Sequence, residues 1–193
     1  MGKAAMRAAI LAAAVGLIPG GTVRAMPFAG LVPTEIGLID QSSGGVHFSG
    51  VIDDHTIASA GSWEIHGEWS LDLLGASGKA NFSAALNMER SDYWLLTTTG
   101  ANPNSVAARN PHTHHIVVDG GTVTLIPDGF RVTGPALVTG NGSTPPFGSS
   151  STVQVDVTGG DLVSPSNIKL TFGGDAVAHF GSQAFSGVVV RTQ

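Results

Sequence analysis

The chain has 193 residues, a formal net charge of −5 with nine Lys and Arg in all, 42% hydrophobic and 12% charged residues, and no cysteine. That balance leaves no basic surface to follow a phosphate backbone, so nucleic acid is not an expected partner. It also excludes disulfides, thiolate ligands and a cysteine nucleophile.

Lys3 and Arg7 followed by the apolar run 8–18 match the start of a secretory signal, and this run is too short to span a bilayer. Val23-Arg24-Ala25 places small side chains three residues and one residue before a cut at Met26. Residues 1–25 are therefore expected to be a cleaved signal peptide, 26–44 a loosely held arm with Pro27 and Pro33, and 45–193 a single β domain. The mature protein is expected to be secreted or periplasmic, with no transmembrane segment.

Period-two alternation dominates from there on. It is clearest over 63–73, where Trp63, Ile65, Trp69, Leu71 and Leu73 share one face and Glu64, His66, Glu68, Ser70 and Asp72 the other. A second alternating run at 80–88 follows the turn signals Gly75 and Gly78, which predicts a hairpin. Further strands are expected at 46–52, 94–99, 114–118, 122–126, 130–133, 152–158, 167–172, 176–180 and 185–191. Their connections carry turn residues such as Asp119-Gly120-Gly121 and Pro127-Asp128-Gly129. Roughly ten short strands with turns every 8 to 12 residues imply an all-β fold, a single antiparallel β-sandwich or β-barrel.

Pro111-His112-Thr113-His114-His115 stands where a loop enters a strand. In extended backbone His112 and His114 project to one face about 6 to 7 Å apart, close enough for two imidazoles to meet one ion at roughly 2.0 Å each, while His115 points the other way. Such a pair needs further ligands. His179, expected on the strand 176–180, is the first candidate, and His66, flanked by Glu64 and Glu68, is the second. Nitrogen ligands suit a transition metal such as zinc, copper or iron better than calcium. If the site is catalytic, Glu64, Glu68 or His115 would carry protons. Arg109 lies three residues before His112, where it would either orient an anion or pair with Glu89 or Asp92.

The contrasting expectation is a binding or structural module without chemistry. Low charge and abundant Gly, Ser and Thr suit a barrel or sandwich that takes up a small molecule or a glycan, or that self-associates by strand addition.

Overall fold

The computed structural model describes residues 45–58, 61–92, 109–140, 147, 150–159 and 165–193. The expected signal peptide, the arm 26–44 and the strand 94–99 lie outside the described residues. Among the described residues the chain forms nine strands: β1 (Val46–Ala58), β2 (Gly61–Leu73), β3 (Lys79–Arg90), β4 (His112–Ile126), β5 (Gly129–Pro135), β6 (Leu137–Thr139), β7 (Thr152–Thr158), β8 (Asn167–Gly173) and β9 (Phe185–Thr192).

Every pairing is antiparallel, and with the short β6 set aside each strand lies beside its neighbours in the sequence. β9 returns to pair with β1, while β3 pairs with β4, so the sheet closes into an eight-stranded up-and-down barrel. β6 continues the line of β5 along β4 as a ninth, three-residue piece. Closure decides between barrel and sandwich, and it satisfies the long strand edges that would otherwise invite pairing with another chain.

Alternation places the core inside. On β2, Trp63, Ile65, Trp69, Leu71 and Leu73 are buried, while Glu64, His66, Glu68 and Asp72 face water. The same rule buries Phe48 and Ile52 from β1, Phe82, Leu86 and Met88 from β3, Val153, Val155 and Val157 from β7, and Leu170 and Phe172 from β8. Each fully buried Phe or Leu contributes about 2 to 3 kcal/mol of apolar transfer. The outer wall mixes polar side chains such as Ser49, Asp53, His66, Glu68, Ser83, Asn87 and Lys169 with exposed Val51, Ile57, Val117, Val188 and Val190 around an apolar filling. No helix among the described residues is long and apolar enough to cross a membrane.

Two sequence expectations change here. The runs 114–118 and 122–126 are one strand, β4, and Asp119-Gly120-Gly121 is not a turn. Against β3, Ala80 faces Gly121 and Phe82 faces Val118, so β4 carries one extra residue. Gly120, at φ +62°, accommodates this bulge, and its N–H donates to Asn81 Oδ1 at 2.9 Å. A bulge and a turn ask for the same left-handed glycine, which is why the two look alike in sequence.

The second change concerns 176–180, which is not a strand. Gly174–Ala176 forms a 3-10 turn that runs into a single helical turn, α1 (Val177–Phe180). Gly174 enters at φ +64° and Gly181 leaves at φ +82°. Phe180 is fully buried and stacks on Phe172 with ring centroids 3.9 Å apart. The buried Thr56 hydroxyl near the end of β1 donates to the Phe180 carbonyl at 2.8 Å. α1 is thereby fixed at the end of the barrel where β1 and β3 finish and β2 and β4 begin.

Candidate metal centre

His112 and His114 open β4 on its inward face, opposite Met88 and Leu86 of β3. His114 is 3% exposed, whereas His112 is partly accessible. α1 delivers His179 to the same place. His114 Nε2 lies 2.9 Å and His112 Nε2 3.3 Å from His179 Nε2, and one nitrogen from each ring falls within 4.8 Å of the others. Three nitrogens held tetrahedrally at 2.0 to 2.1 Å from one ion would stand about 3.3 to 3.4 Å apart. The His112–His179 separation already matches, the His114–His179 pair has to open by a few tenths of an ångström, and the His112 and His114 nitrogens lie within 4.8 Å of each other.

Two of the rings are oriented from behind. His112 Nδ1 meets the Asn110 carbonyl at 2.8 Å, and His114 Nδ1 meets the Thr139 carbonyl of β6 at 3.0 Å. A carbonyl only accepts, so each Nδ1 carries the proton and donates it, leaving the Nε2 lone pair free to bind. Backbone oxygens play this orienting part behind metal-ligating histidines generally. Asn110 reaches its place at φ +47°, a left-handed conformation that asparagine tolerates.

Burial favours the neutral form of His114 and of His179. Desolvation, and then the neighbouring His179, push the His114 imidazole down to about 4, against a partial offset from the Thr139 carbonyl. His179 is lowered as well, by burial first and His112 second. Neutral imidazole is the form that ligates a metal. Aromatic rings complete the surroundings. Trp63 lies edge-on to His112 at 5.1 Å between centroids, Phe147 is 5.4 Å from His179, and Phe180 is 5.0 Å from both His114 and His179.

The structure thus brings together His112, His114 and His179 and leaves the other candidates on the opposite side of the wall. His66 sits on the outer face of β2, its Nδ1 2.9 Å from Asp53 Oδ1 and its Nε2 3.8 Å from Glu64 Oε2. Period two forbids it from turning inward beside Ile65. Glu64 shares that outer face. Glu68 and His115 face out along a shallow groove with Ser70 and Ser83, separated by Ala85 of β3. None of the three reaches the cluster as a proton carrier. Arg109 pairs with Glu89 at 3.1 Å, the salt-bridge alternative.

His179 was legible as a ligand candidate, although its strand assignment was not correct. Trp63 read as core alone, Phe180 only as the end of the expected strand 176–180, and β6, which supplies the Thr139 carbonyl, had no strand signal beyond Leu137 and Val138. No family model, curated protein or solved structure matches the chain.

Proposed function

We propose that this barrel binds one transition-metal ion through Nε2 of His112, His114 and His179 at the end closed by α1. The observation that carries this reading is the convergence of three Nε2 atoms while the Nδ1 atoms of His112 and His114 are committed to backbone carbonyls. A structural hydrogen bond would need only two of these rings, whereas His179 Nε2 faces the accepting Nε2 of both His112 and His114. Imidazole ligands, with no carboxylate in the cluster among the described residues, suit zinc, copper or iron and disfavour calcium and magnesium.

A bound ion with three protein ligands keeps a fourth position, where it polarises a water or carbonyl oxygen for hydrolysis, or takes up an oxidant. Export through the N-terminal leader belongs to the same proposal, supported by Lys3, Arg7 and the apolar run after them.

Thermal unfolding of chelator-treated protein with added zinc tests the reading. Free ion at a hundred times its dissociation constant stabilises a one-site protein by about 2.7 kcal/mol, a rise of roughly 5 to 10 °C in Tm for a domain of this size. The rise should vanish in the double variant His112→Ala, His114→Ala. Equal melting of wild type with and without zinc, copper or iron would sink the proposal.

A further inference from the structure

Three neutral imidazoles around a divalent ion leave its charge uncompensated in an aromatic pocket, and the cluster among the described residues contains no carboxylate. A charge partly withdrawn from water calls for an anionic partner. His114 is buried, but His112 and His179 are partly accessible, so the approach from solvent is on their side.

Trp63 adjoins both of these rings. Its ring packs against His112 at 5.1 Å and His179 at 6.2 Å. It is 3% exposed, yet its indole Nε1 has no hydrogen-bond partner. A buried indole N–H without an acceptor is unfavourable, and it is the unused donor of a residue that packs against two of the three proposed ligands. Arg90 lies over the same ring at 5.6 Å, but its guanidinium is engaged by Asp92 at 2.9 and 3.0 Å and leaves the anion to other donors.

We infer that the fourth position takes a small carboxylate, one oxygen on the metal and the other accepting a hydrogen bond from Trp63 Nε1. This rests on the metal reading above. Trp63 is then a positioning residue for the bound anion and not a metal ligand. Trp69, whose indole nitrogen also lacks a partner, packs over Gly50 on the neighbouring strand and provides an internal control.

The test uses wild-type protein labelled with 15N in its indoles, loaded with zinc and titrated with sodium acetate. The Trp63 N–H resonance should move downfield and saturate, while that of Trp69 stays in place. In the cobalt-loaded protein, acetate affinity read from the visible spectrum should fall roughly tenfold in Trp63→Phe, the loss expected for one charge-assisted hydrogen bond, with cobalt affinity unchanged. Failure to bind zinc or cobalt would overturn the metal reading and this inference together. Metal binding with a Trp63 resonance indifferent to acetate would overturn this inference alone, and because that measurement uses wild type it stands even where Trp63→Phe does not fold.

Discussion

Acid unfolding of the metal-free protein should carry the signature of His114. Its imidazole titrates near 6.5 in an unfolded chain and at about 4 in the folded barrel, where it is 3% exposed. The unfolded state therefore binds the proton more readily. Stability is fully present above pH 6.5, is lost as pH falls toward 4, and changes no further through this group below that. A displacement of about 2.5 units at roughly 1.4 kcal/mol each makes the loss about 3 kcal/mol. His179 shifts in the same direction and adds to it. Urea unfolding in chelator at pH 7, 5.5 and 4 measures the total, and the variant His114→Leu isolates one residue. Wild type should lose about 3 kcal/mol more than His114→Leu between pH 7 and pH 4. Profiles that run parallel throughout would show that His114 is not held neutral by burial.

Thr56→Val removes the hydroxyl that ties β1 to the Phe180 carbonyl, so urea unfolding should report a loss of about 1 to 2 kcal/mol and zinc titration a weaker affinity at unchanged stoichiometry, since α1 carries His179. Gly120→Ala should cost only about 1 kcal/mol, because φ is +62° but the space around the added carbon is open. Gly129→Ala should cost more than about 2 kcal/mol in the same assay, since φ is +152° and the new carbon would overlap the Val157 carbonyl. Arg131→Met breaks a two-pronged pair with Asp156 at 2.6 and 2.8 Å, yet the arginine side chain is 37% exposed, and the measured change should stay under about 1 kcal/mol.

Much of this barrel could be read from alternation because each strand buries one face and wets the other. The face shared by Trp63, Ile65, Trp69 and Leu71 is the inner face, and the co-facing of His112 and His114 follows from the same geometry. Closure was not readable, since it depends on β9 reaching β1, a pairing that leaves no local trace. The segment around His179 misled for a different reason. Ala176, Val177, Ala178 and Phe180 are too few to separate a period of 2 from one of 3.6, and the glycines at 174 and 181 bracket a strand or a helical turn equally well. His66, Glu64 and Glu68 were attractive as ligating or proton-carrying types, but their own strand's alternation sends them outward once Trp63 and Ile65 are buried.

The central claim is that three histidines from β4 and α1 hold one ion. Elemental mass spectrometry on protein purified without chelators or a histidine tag, beside the single variants His112→Ala, His114→Ala and His179→Ala, tests it most directly. The account predicts about one equivalent of zinc, copper or iron in wild type and its loss or sharp reduction in each variant, with His66→Ala retaining the wild-type content. Wild-type protein that binds none of these metals, even after exposure to each in excess, would contradict it, as would a metal retained in full by all three variants.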